Sequence, residues 1–326
     1  IRDVIYLNDE DLMGMYMLSI EYLLKEIDTT LHQNEVLYVV EASCQCMRRS
    51  TSKNIIIGAI RAMMKCATSC AGGSEMEFVK HEIIACLEDC ESLWRDEVES
   101  VLNSAIVLHY LTAFEGFCKA FRLSDLENLM MIILNGSPHE RISSEIEECI
   151  VSVIVNHLIH ATASINEVMT SKAWQCILER ILHPSKKCGI SLEFRDAIIS
   201  IWAVYFKEIS SMDLFSFSDF CTMAMSEEAQ PNDRMLRNIS HVIAVSSYTE
   251  DLSEKIIDAN AIGYMYRHFM NHTNINRESS ERSYKFCSCV LRNFMSHASC
   301  IPKVVDSIEI PDILSSIVQK TKTMDA

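Results

Sequence analysis

The chain has 326 residues, 49% of them apolar and 23% charged, an ordinary globular balance that excludes wholesale disorder. Eight glycines and five prolines amount to about 4% of the chain, against about 12% in average usage, which excludes a turn-rich sheet protein and favours helices on short connections. A net charge of −16 sets the molecule as a whole against nucleic acid and anionic membrane.

The first predicted element is a helix over LMGMYMLSIEYLLKEI, residues 12–27, apolar on most sides, so something must cover it. Residues 1–74 are expected to form an N-terminal helical cap and a degenerate repeat, because the terminal units of a stack are atypical. Self-association through these N-terminal helices is the alternative. The 18 methionines, among them Met13, Met15 and Met17, are read as core filling before promiscuous binding surface.

Charge then separates along the chain. From Ala42 to Ser74 there is no acid, yet Arg48, Arg49, Lys53, Arg61 and Lys65 are present. The next stretch, Glu75 to Glu99, carries nine acids against Lys80 and Arg95. The basic patch suits an acidic peptide, a phosphate or an acidic neighbour; the plain alternative is a solvated helix face. No aromatic residues interleave these cations, which weakens a nucleic-acid reading.

From residue 75 to 318 a repeat is legible. KIIDANAIGYMYRHF (255–269) aligns without a gap on KVVDSIEIPDILSSI (303–317) at an offset of 48. The same apolar spacing recurs in EVMTSKAWQCILERI and around Leu126, with weaker copies near Ile84 and Phe220. One landmark per copy gives Ile84, Leu126, Trp174, Phe220, Ile262 and Ile310, at steps of 42, 48, 46, 42 and 48. Pro138, Pro184 and Pro231, 46 and 47 apart, each follow one of these helices and cannot continue it. A period in the forties built from helical patterns predicts an all-α solenoid of three-helix units, with residues 319–326 as a tail.

SCVLRNFMSHASCIPKVVDSIEIPDILSSIV, and HVIAVSSYTEDLSEKIIDANAIGYMYRHF before it, resemble armadillo repeats. The resemblance covers residues 145–318 well and 1–74 least. It implies a right-handed superhelix of about six to seven repeats whose third helices line a groove holding an extended peptide or a partner helix. Peptide binders of this family clamp the ligand backbone with asparagines on the third helix. Asn156 in NHLIHA and Asn293 in NFMSHA match, each followed four residues on by His and Ala. The ladder is otherwise broken, with equivalent places near His109 and Tyr205–Lys207. The tryptophan that partners Asn in nuclear-import receptors is Ser152 or Cys289 here, which counts against nuclear import. An asparagine amide offers donors and an acceptor together. A helix-end hydrogen bond inside the stack is the other explanation of both residues.

There is no glycine-rich phosphate loop, GxSxG or HExxH. Cys44-x-Cys46, Cys287-x-Cys289 and the Cys66/Cys70 pair have metal-like spacing, but a zinc site needs four ligands, so the 14 cysteines are read as small apolar side chains. No cofactor, metal or catalysis is expected. With no signal peptide and no membrane span visible, the expected compartment is cytoplasm or nucleus. The expected function is a noncatalytic scaffold or adaptor for a protein partner, with a regulatory or oligomerising module as the alternative.

Overall fold

A computed structural model describes residues 9–25, 31, 33–70, 72–136, 140–182, 192–210, 224, 233–272, 277–307, 310–313 and 315. Among them every regular element is a helix, and the single extended pairing is an isolated bridge between Leu31 and Cys70. The expected all-α class is therefore what the described chain shows. It divides into two compact units, residues 1–194 and 195–326.

The first unit opens with α1 (Glu10–Lys25), α2 (Gln33–Arg49) and α3 (Lys53–Ser69). A short, an intermediate and a long helix then recur. They are α4 (Glu75–Lys80), α5 (Ile83–Asp89) with the single turn α6 (Glu91–Trp94), and α7 (Val98–Thr112). Next come α8 (Glu115–Ala120), α9 (Leu123–Asn135) and α10 (Glu140–Ile159), then α11 (Ile165–Thr170) and α12 (Lys172–Leu182). Like packs on like: α4 on α8, α5 on α9, α9 on α12, α3 on α7, and α7 on α10. Residues on both sides of 74 belong to this unit, with α3 and α7 packed directly together.

The landmarks lie where a repeat would bury them. Ile84, Leu126 and Trp174 occupy α5, α9 and α12 and are 5%, 0% and 0% exposed. Each such side chain contributes about 1.5–3 kcal/mol on removal from water. The Trp94 indole donates to the Leu87 carbonyl at 2.9 Å, so this ring is buried without losing its hydrogen bond. Before α11, Ser164 and Glu167 form a capping box: the Ser164 amide donates to Glu167 Oε2 at 2.7 Å and the Glu167 amide to Ser164 Oγ at 3.2 Å. Gly136 ends α9 against the residue that closes α6. A Cβ there would lie 2.8 Å from the Arg95 carbonyl oxygen, so the close approach needs glycine.

In the second unit α13 (Leu192–Ser210) is followed by α14 (Asp233–Ser246), α15 (Glu250–Asp258), α16 (Ala261–His272), α17 (Arg277–Met295) and α18 (Cys300–Asp306). The helical geometry of α13 breaks at Tyr205, with φ −107° and ψ 23°. α14 packs on α17 and α15 on α18, again like on like. Ile262 on α16 and Ile310 beyond α18 are 1% and 2% exposed. Asn260, with φ 50°, turns the chain from α15 to α16, as Glu82, with φ 53°, turns it from α4 to α5. Asparagine tolerates this left-handed region better than glutamate does. Phe220 and Pro138, Pro184 and Pro231 lie outside the described residues.

Candidate functional site

The row α3–α7–α10 leaves one face of each long helix open. On α7 the partly exposed side chains from Glu99 onward are Glu99, Leu102, Ile106, His109 and Tyr110, a single helical stripe. On α3 the matching stripe runs through Ile57, Arg61, Met64, Lys65 and Thr68, and on α10 through Ser152, Val155, Asn156 and Ile159. The apolar members of these stripes are Ile57, Met64, Leu102, Ile106 and Val155, and at the C-terminal ends of α7 and α10 Tyr110 is 41% and Ile159 69% exposed. Such a face supplies contact area and a few polar handles, the chemistry of binding a chain segment.

The two NxxxHA motifs are tied into the fold in the same way. Asn156 is half-buried, and its amide donates to Thr112 Oγ1 at 3.1 Å, while His160 Nε2 donates to the Ala113 carbonyl at 3.1 Å. In the second unit the Asn293 amide donates to Ser247 Oγ at 2.8 Å, and His297 Nε2 lies 3.3 Å from the Ser247 carbonyl. Both hydroxyls, in turn, donate back into their own helix, to Leu108 and Ala244. Both acceptor residues also receive a side chain six positions on: Cys118 Sγ donates to the Thr112 carbonyl and Ser253 Oγ to the Ser247 carbonyl. Each motif thus locks the end of one long helix to the end of the long helix before it. Asn293 is 7% exposed, so little of it faces outward. Thr112 and Ser247 went unnoticed in the sequence, where their only signal is a hydroxyl residue 44 or 46 positions before the asparagine.

The basic patch meets carboxylates of the same chain. Arg48 donates to Glu82 at 3.1 Å and to the His81 carbonyl at 2.9 Å. Lys53 pairs with Glu97 at 2.5 Å, and Arg61 forks onto Glu99 at 2.9 and 2.7 Å. The hydrogen bond from Arg61 holds the Glu99 carboxyl below the usual range. Arg49 is half-buried at the end of α2, and Lys65 lies on the open stripe of α3. The cation-rich stretch and the acidic stretch after it therefore form an ionic seam between neighbouring helices.

Of the remaining candidates, His109 is half-buried on the open face, edge-on to Tyr110 at 5.0 Å, and burial pulls its pKa down so that it is neutral at pH 7. Lys207 lies on α13, but its side chain is outside the described residues. Burial pushes the thiols of Cys46, Cys90 and Cys149 up to about 11, 12 and 12, which leaves them protonated and apolar at neutral pH. Among the described residues no three His, Cys, Asp or Glu side chains converge as a metal site, and no helix is long and apolar enough to cross a membrane. No family model, curated protein or solved structure matches this chain.

Proposed function

We propose that the chain is a noncatalytic protein-interaction scaffold, built as a right-handed armadillo-like solenoid of about six to seven repeats over residues 75–318. In this reading the long third helices hold an extended peptide or a partner helix, in the cytoplasm or nucleus. The observation that carries it is the continuous open face on α3, α7 and α10, where Ile57, Met64, Leu102, Ile106 and Val155 form an apolar middle between polar ties. The repeat architecture is supported by side-chain hydrogen bonds between counterpart helices, which join residues 38 to 50 positions apart. A protein segment suits this face better than nucleic acid, because the molecule carries −16 and Arg48, Lys53 and Arg61 already face carboxylates. His109, Asn156 and Lys65 are the polar groups best placed to orient a ligand there, since all three keep part of their surface open.

The test is partner capture from the native cell, with each captured protein purified and its affinity measured directly. Ile106→Asp combined with Val155→Asp puts two charges in the apolar middle and should weaken binding at least about tenfold, or about 1.4 kcal/mol, with the circular dichroism spectrum unchanged. Unchanged affinity in a folded variant removes this face from the function. Tight, salt-sensitive binding of the native chain to generic RNA overturns the protein-partner reading.

A further inference from the structure

α1 is apolar on two opposite sides. Its inner side, Met13, Met17, Ile20 and Leu24, is at most 7% exposed, and the helix packs on α3. Its outer side presents Leu12, Met15, Leu18, Tyr22 and Leu23, the last four each 61–67% exposed. The exposed polar residues on this side are Ser19 and, in the first turn, Asp11. Asp9 caps the amides of Asp11 and Leu12 at 3.0 and 3.1 Å. Glu10 accepts from Ser50 Oγ and from the Thr51 amide and hydroxyl at 2.9–3.2 Å. The Ser19 hydroxyl donates to its own helix at the Met15 carbonyl, 2.8 Å away. Glu21 is only 15% exposed and approaches Arg61. Between Leu12 and Leu23 the outer side is thus free of charge, although the end of a helical stack ordinarily presents a polar face to water.

We propose that this side of α1 is a homodimer surface, on which α1 of a second copy lies antiparallel about a two-fold axis near Leu18. Three observations choose a second copy. The stripe is self-complementary about Leu18: the two-fold sets Leu12 against Leu23 and Met15 against Tyr22, as an isologous contact requires. It also opposes the two helix dipoles, the N-terminal end of each helix lying over the C-terminal end of the other. The five side chains expose on the order of 600 Å² per copy, so pairing buries up to about 1,200 Å², the lower bound for a stable interface. Interfaces at the low end of the size range are characteristically weak and reversible, so the dimer should dissociate on dilution. The surface is separate from the α3–α7–α10 face, so dimerisation stands or falls without any peptide ligand.

Analytical ultracentrifugation of the whole chain under reducing conditions tests this, over about 1–200 µM. The native chain should shift from one copy to two as concentration rises. Leu18→Glu and, independently, Met15→Glu should weaken dimerisation at least about thirtyfold while leaving the helical spectrum intact, since both side chains already face water. A native chain that stays monomeric across the range overturns the proposal, as does a dimer indifferent to both glutamate variants.

Discussion

At the residue scale, the asparagines of NxxxHA are partly spent on the fold. A buried amide such as that of Asn293 needs a partner, and the Ser247 hydroxyl supplies it at 2.8 Å. Asn293→Ala should lower unfolding free energy by about 1 kcal/mol, and Ser247→Ala, which strands the amide, by about 1–3 kcal/mol. A double-mutant cycle read by urea denaturation should return a coupling of about 1 kcal/mol, and a value near zero would mean that the amide is free for a ligand. The half-buried Asn156 should cost less, because water replaces part of what is lost. Its neighbour His157 is fully buried, with Nδ1 2.8 Å from Thr162 Oγ1. Burial first, and His160 second, bring its pKa down to about 4. The unfolded chain titrates this group near 6.5, so below that pH the unfolded state binds the extra proton. The stabilising effect of keeping His157 neutral is complete above about 6.5 and is lost as pH falls toward 4. His157→Gln should therefore show a smaller drop in melting temperature between about pH 7 and pH 5 than the native chain does.

At the element scale, the ionic seam explains why bases cluster before residue 75 and acids after it. Arg48 closes α2, and Lys53 and Arg61 lie on α3; their carboxylates, Glu82, Glu97 and Glu99, lie between α4 and the first turn of α7. All are solvent-accessible, so each pair is worth only about 0.2–1 kcal/mol, and the seam chiefly sets which helix edges meet. Arg61→Glu, which faces Glu99 and Glu21 with a third carboxylate, should destabilise the chain by about 1 kcal/mol at low salt, and less in high salt. Adding Glu99→Arg should recover most of the loss in a thermal melt; a single variant as stable as the native chain would show that the contact contributes nothing. A multiple charge reversal in this patch loosens the fold itself, so lost partner binding in such a variant does not locate a binding site.

At the scale of the whole molecule, helix class was legible before any coordinate. Scarce glycine and proline, and apolar residues at three- and four-residue spacing, are local properties, and Ile84, Leu126, Trp174, Ile262 and Ile310 all prove to be buried. The proposed period in the forties likewise rests on a local pattern that returns along the chain. What could not be read is everything that depends on two residues about one period apart. Whether Asn293 meets a ligand or Ser247, whether Arg61 meets a partner or Glu99, and which side of α1 stays uncovered are decided by helix against helix. Their side chains come together at separations of 38 to 50 residues, and helical periodicity carries no information over that distance. The sequence by itself determined that these segments are helices and that the landmarks Ile84, Leu126, Trp174, Ile262 and Ile310 are buried. Only the tertiary structure decided which charges neutralise one another, which amide is consumed within the stack and which faces remain open, because those follow from the packing of counterpart helices and not from any one helix alone.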